Sequence, residues 1–234
     1  MERTTVAIAI VMLSILTGTA ADYQQPVVTD INFAGLSYTL YHTASQRQSL
    51  VMVFGGGWAG NNVETTSTTM HDQLDSFAKI LVQTYDVVLV NDLYYPSNKS
   101  ALDSFFLHNQ ELYRCIHMFG ISAGAIIVMA YAQQESAFAS SIICSAPADY
   151  YPLFDRPEPM YHLGNTANQT KIPLLFILPS LDEDFCSQMT TYYSRDTTEK
   201  QLVYWNVQHN PFEWQPTEFA TLCMRWFEGE NNVN

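Results

Sequence analysis

Apolar and polar positions along the chain switch between two periods. Residues 27–33 and 36–42 gather β-forming side chains around Ala34-Gly35, which predicts an opening hairpin. Residues 49–54, Ser-Leu-Val-Met-Val-Phe, are an almost unbroken apolar block, as expected of a strand buried on both faces, and the block stops at Gly55-Gly56-Gly57-Trp58. Between 71 and 83 the period changes: Leu74, Phe77, Ala78 and Leu81 recur at three- and four-residue spacing and predict a helix. A second buried strand is expected at 87–90. A second helical face follows over 100–116, through Leu102, Phe105, Asn109, Leu112, Tyr113 and Ile116. Residues 116–119 lead as a strand into Gly120-Ile121-Ser122-Ala123-Gly124, and 123–134, rich in Ala, Ile and Met, lead out as a helix. Short strands at 141–144, 173–178 and 202–206 and an amphipathic helix at 217–227 complete the pattern.

Short apolar strands alternating with helices predict an α/β fold, with a mostly parallel central sheet covered by helices on both faces. No internal repeat or dividing linker interrupts the pattern, so residues 22–234 are read as one domain. The stretch 147–171 departs from it: prolines and the aromatics Tyr150, Tyr151, Phe154 and Tyr161 replace helical spacing, which suggests no more than a minimal cap.

Composition narrows the setting. Hydrophobic residues make up 47% of the 234-residue chain, enough for a sizeable core. Ten basic against 23 acidic residues give a net charge of −13, which argues against nucleic acid or an anionic membrane as partner. Residues 1–21, with Arg3, an apolar run over 6–16 and Gly18-Thr19-Ala20, have the form of a cleaved secretory signal. The run is shorter than the roughly 20 residues that span a bilayer, so no stable membrane insertion is expected after cleavage. The sequons at Asn98 and Asn168 agree with a secreted glycoprotein. Of the four cysteines, Cys144 and Cys186 both follow the carboxyl ends of strands expected to be neighbours, which makes them the expected disulfide. Without Cys-x-x-Cys or His-Glu-x-x-His there is no sequence support for a metal, and no cofactor is expected.

Gly120-x-Ser122-x-Gly124 between a strand and a helix is the pattern of a nucleophile elbow, a cramped turn that exposes a serine hydroxyl above the sheet. A serine nucleophile needs a base, an orienting acid and donors for an oxyanion. In α/β-hydrolases the acid and then the histidine follow the serine. Only His162 and His209 lie after Ser122, and only His209 lies beyond the strand at 173–178, so His209 is the candidate base. The segment Leu181-Asp182-Glu183-Asp184-Phe185 follows that strand; Asp182 is the candidate acid and Asp184 the runner-up. The oxyanion donors expected are the backbone N–H of Ala123 and those of Gly56 and Gly57.

Together these pieces resemble the α/β-hydrolase superfamily, specifically carboxylesterases with a His-Gly-Gly-Gly-Trp oxyanion loop. The resemblance runs over nearly all of 33–227, with Phe54 standing where those enzymes have the histidine. It implies an α/β-hydrolase fold and a secreted serine esterase acting on a small-molecule ester. Trp58, Tyr94 and Tyr150 are candidates for an apolar pocket. An amidase or peptidase would use the same triad, and a hydrolase fold with an idle triad would serve as a binding protein.

Overall fold

The computed structural model describes residues 24–45, 47–56, 68–92, 99–132, 138–146, 172–181, 200–206, 211–212 and 215–230. Eight strands, β1 Val27–Phe33, β2 Leu36–His42, β3 Ser49–Phe54, β4 Asp86–Asp92, β5 Cys115–Ile121, β6 Ser141–Ser145, β7 Leu174–Pro179 and β8 Lys200–Trp205, form one sheet. Their order is β1-β2-β4-β3-β5-β6-β7-β8. Pairing is antiparallel from β1 to β2 and from β2 to β4, and parallel from there to β8. Four helices lie between or after the strands: α1 Thr68–Leu81, α2 Lys99–Asn109, α3 Ala123–Ala132 and α4 Pro216–Phe227.

The parallel strands from β3 to β7 are buried on both faces, while the edge strand β8 leaves Tyr204 exposed, and the alternating side chains of the buried strands feed two cores. Leu50, Met52 and Phe54 of β3 join Leu102, Phe105 and Phe106 of α2 and Val128 and Met129 of α3. Val51 and Val53, one residue out of phase, join Phe77 and Leu81 of α1 and Phe219 and Trp226 of α4. The layers are also tied by polar links, with Trp226 Nε1 donating to the Ile142 carbonyl at 3.1 Å. Helices thus cover both faces, as the run of apolar blocks predicts.

Two expectations change. The apolar spacing over 100–116 is not one helical face: α2 ends at Asn109, whose side-chain amide donates back to the Phe105 carbonyl at 2.8 Å. The Asn109 carbonyl then accepts from the N–H groups of Leu112 and Tyr113, turning the chain so that Ile116 enters β5. The expected Cys144–Cys186 disulfide is also corrected: Cys144 is a free, buried thiol. Strand alternation turns its side chain into the core beneath α3, where Sγ donates to the Ala125 carbonyl at 3.8 Å and burial pushes the thiol pKa up. Cys115 and Cys223 are free as well, and Cys186 lies outside the described residues.

His117 of β5 is 4% exposed, 2.8 Å through Nδ1 from Ser141 Oγ and packed on the rings of Tyr85 and Phe227. Burial lowers its pKa from 6.5 to about 4. Between those values the unfolded chain takes up a proton that the folded chain refuses, so this residue removes stability as the pH falls. From about pH 7 to about pH 5 the loss expected from His117 alone is about 2 kcal/mol. Urea denaturation of the wild type and His117→Gln at both pH values should show a smaller acid loss in the variant by about that amount.

Candidate active site

The carboxyl end of β5 carries a tightly constrained turn. Ser122, between β5 and α3, has φ +54°, a left-handed conformation that a residue with a side chain adopts at a cost of about 1–3 kcal/mol. Neighbours hold it there. Its N–H donates to the Ser145 carbonyl at 3.0 Å, carrying the β5–β6 ladder one step past the strand, and its carbonyl accepts from Ala125 at 3.1 Å as α3 begins.

The flanking glycines are small for identifiable reasons. A Cβ on Gly120 would stand 2.5 Å from the Gly124 carbonyl oxygen and 2.7 Å from the Ala125 Cα. One on Gly124 would run into the carbonyl oxygens of Phe54 and Gly55. The first glycine lets α3 fold back over β5, and the second lets it start against the end of β3. Strand register brings these parts together, because β3 and β5 are parallel with Phe54 opposite Gly120.

The same register sets Gly56 beside the serine. A Cβ there would lie 2.9 Å from Ser122 Cβ and 3.5 Å from Ser122 Oγ, so main chain alone fits against the hydroxyl. Gly56 is buried, while Ser122 remains partly open to solvent. The Ser122 N–H is already spent on Ser145, but that of Ala123, first residue of α3, has no carbonyl four residues back within the helix. The positive end of α3 therefore meets Ser122 and Gly56 in one place. Phe54, where the resembling esterases have histidine, is 1% exposed and packs into the core as an apolar side chain.

Asp182, Asp184, His209, Gly57, Trp58, Tyr94, Tyr150, Asn98 and Asn168 lie outside the described residues, as do 1–21 and 147–171. The segments leading to the acid and the histidine are described. β7 ends at Pro179 and the described chain continues to Leu181, the residue before Asp182; β8 ends at Trp205 and is followed by Asn206, both at the carboxyl edge that carries Ser122. These two ends are joined, with the Ser180 N–H donating to the Trp205 carbonyl at 2.8 Å.

Two contributors carry no sequence signal at their own positions. Ala146, one residue past β6, has φ +42° and donates its N–H to Ile177 at 2.9 Å, making a second left-handed residue at this edge. Phe212, three residues after His209, is buried against the rings of Phe77, Phe219 and Phe119 at 5.0, 5.3 and 6.1 Å. It anchors the chain that leaves the candidate histidine. Among the described residues no group of three or more His, Cys, Asp or Glu side chains could hold a metal ion, and no helix is long and apolar enough to cross a membrane.

No family model and no curated protein matches the chain. Solved structures do: an esterase from Pyrococcus furiosus superposes with a TM-score of 0.65 at 16% identity, covering 91% of this chain and 94% of that one. The fold is that of the α/β-hydrolases. Dienelactone hydrolase from Anabaena variabilis shares it with a TM-score of 0.63 at 16% identity over 88% of this chain and 98% of that chain. An acylaminoacyl peptidase from Pyrococcus horikoshii does so at 0.61 and 15% identity, with 88% of this chain covering 42% of the longer enzyme. At these identities the likeness is one of fold. Within it, Ser122 occupies the strand-to-helix turn at the top of the sheet where the α/β-hydrolase fold presents its nucleophile.

Proposed function

We propose that the protein is a secreted serine hydrolase that cleaves a carboxylic ester through an acyl-enzyme, with Ser122, His209 and Asp182 as its triad. The observation that carries this reading is the left-handed Ser122 with Gly56 main chain against its side chain and the start of α3 directly after it.

In the proposed reaction Ser122 Oγ attacks the acyl carbon as His209 Nε2 removes its proton, and Asp182 accepts from His209 Nδ1–H, fixing the tautomer. The carbonyl oxygen gathers negative charge and is held by N–H groups of Ala123 and of Gly56 or Gly57. His209 then protonates the leaving alcohol, and water, activated by the same imidazole, releases the acid. The neighbouring folds include esterases and a peptidase, so the ester reading rests on the resemblance of the Gly-Gly-Gly-Trp loop to carboxylesterases. Trp58, Tyr94 and Tyr150 would line the acyl pocket. Secretion, by removal of residues 1–21, and glycosylation at Asn98 and Asn168 belong to the same proposal.

Gly56 gives a test that substitutes no member of the triad. Gly56→Ala places a methyl 2.9 Å from Ser122 Cβ and 3.3 Å from the Ile121 carbonyl oxygen, so the serine or the loop must shift by a few tenths of an ångström or more. Hydrolysis of a short p-nitrophenyl ester should fall by about 10²-fold in kcat, the scale of such misplacement. An unchanged kcat would remove Gly56 from the reacting centre.

A further inference from the structure

Beside the glycine loop the sheet breaks its own register. Where β2 pairs with β4, Tyr38 lies opposite Val90 but Ser37 lies opposite Asp92, so Asn91 has no register partner on β2. This is a β-bulge, a device common next to active sites, where it re-aims a side chain or ends a pairing. On the other side of β4, Val90 pairs with Phe54, the last residue of β3. Asn91 therefore stands beside Gly55, where the glycine loop leaves the sheet.

The bulged side chain is held. Asn91 Nδ2 donates to Thr39 Oγ1 at 2.9 Å, and Thr39 Oγ1 donates to Asp30 Oδ1 at 2.7 Å. The directions are forced: a carboxylate only accepts, so the single hydroxyl proton of Thr39 goes to Asp30, and the Thr39 oxygen accepts from the Asn91 amide. This relay crosses three strands, β1, β2 and β4. Its middle, Thr39, is 8% exposed, while Asp30 lies at the exposed edge of the sheet. With the acidic end in solvent, the relay avoids the cost of a buried charge.

The glycine loop needs support of this kind. Phe54, at its root, packs into the core as an apolar side chain and offers the loop no hydrogen bond. Gly55 is bounded by Leu74 of α1, whose Cδ1 is 2.9 Å from where a Cβ would stand, and its carbonyl oxygen lies against Gly124 of α3. The end of β4 closes a third side, about 4.8 Å away. Asn91 lies two strands from Ser122, about 10 Å across the sheet, so it acts through the loop and not on the reacting atoms.

We propose that Asn91 is a positioning residue for the oxyanion loop. The Asp30–Thr39–Asn91 relay pins the bulged end of β4, and β4 keeps Gly55 and Gly56 where Gly56 main chain meets Ser122. The role rests on the proposed hydrolase chemistry, because it serves the N–H donors that hold the oxyanion.

Steady-state kinetics of the full chain on p-nitrophenyl acetate test the role in Thr39→Val, Thr39→Ser, Asn91→Ala and the double variant Thr39→Val/Asn91→Ala. Thr39→Val keeps the shape and removes the hydroxyl; kcat and kcat/KM should fall together by about tenfold, with KM unchanged, as expected of displaced transition-state donors. Thr39→Ser keeps the hydroxyl and should stay near the wild-type kcat, which a residue acting by strand packing alone would not do. Asn91→Ala should match Thr39→Val, and the double variant should fall no further, because the two residues act as one chain. Wild-type kcat in Thr39→Val or Asn91→Ala, an equal loss in Thr39→Ser, or additive losses in the double variant would overturn the role while leaving the hydrolase reading intact. A wild type that neither hydrolyses the ester nor takes a fluorophosphonate label on Ser122 would overturn the hydrolase reading and this role with it. Should Thr39→Val fail to fold, Asn91→Ala, a change at a partly exposed side chain, decides alone by its kcat.

Discussion

Replacing Ser122 with alanine should abolish ester hydrolysis, lowering kcat by on the order of 10⁶ if the full triad operates. The substitution removes one oxygen, and the strained turn survives, because Ala146 shows that alanine holds a left-handed φ at this same edge. The Ser122 N–H bond to Ser145 and the carbonyl bond from Ala125 are main-chain bonds and remain. Stability should therefore stay within about 0.5–1 kcal/mol of the wild type, and the effect is one of chemistry alone. Residual turnover of the order of 10³-fold over water would come from the oxyanion donors and binding. Steady-state kinetics on a p-nitrophenyl ester, paired with a urea denaturation curve, separates the two effects.

The largest stability effect is expected at Phe77. The residue has no solvent exposure, and its ring packs against Phe119 at 5.0 Å, Phe212 at 5.0 Å and Phe219 at 5.7 Å. It thereby joins α1 to β5, to the segment after His209 and to α4 in one aromatic cluster. Phe77→Ala should cost about 3–5 kcal/mol through lost burial and the cavity left behind. That is a large share of the 5–15 kcal/mol typical of a domain. Activity should fall as well, since Phe212 loses the ring it leans on. A loss below about 1 kcal/mol in denaturant would show that the cluster collapses to fill the gap, and the anchoring role given to Phe212 would fail with it.

The parts of the fold legible in the sequence are those set by local period. The hairpin and β3 occupy the residues that alternation and the apolar block indicate, and the Gly-x-Ser-x-Gly turn falls between strand and helix as its spacing requires. That turn could be read because Gly120 is crowded by Gly124 and Ala125 within five positions, whereas the crowding of Gly124 comes from Phe54 and Gly55, far off in the sequence. The end of α2 could not be, because Leu112, Tyr113 and Ile116 keep helical spacing while the Asn109 side chain closes the helix. The Cys144 thiol escaped the sequence for a different reason: whether a strand residue points toward an edge loop or under a helix depends on register. Gly56 was expected as an oxyanion donor, but its closeness to Ser122 follows from the pairing of Phe54 with Gly120.

The central claim is that Ser122 is an activated nucleophile rather than a serine in a well-formed but idle turn. A fluorophosphonate probe reacts with such a serine and leaves a stable covalent adduct. Mass spectrometry of the labelled, digested protein should find one adduct, on Ser122, with labelling strongly reduced in His209→Ala and absent in Ser122→Ala. An unlabelled wild type, or label carried equally by Ser122→Ala, would contradict the account.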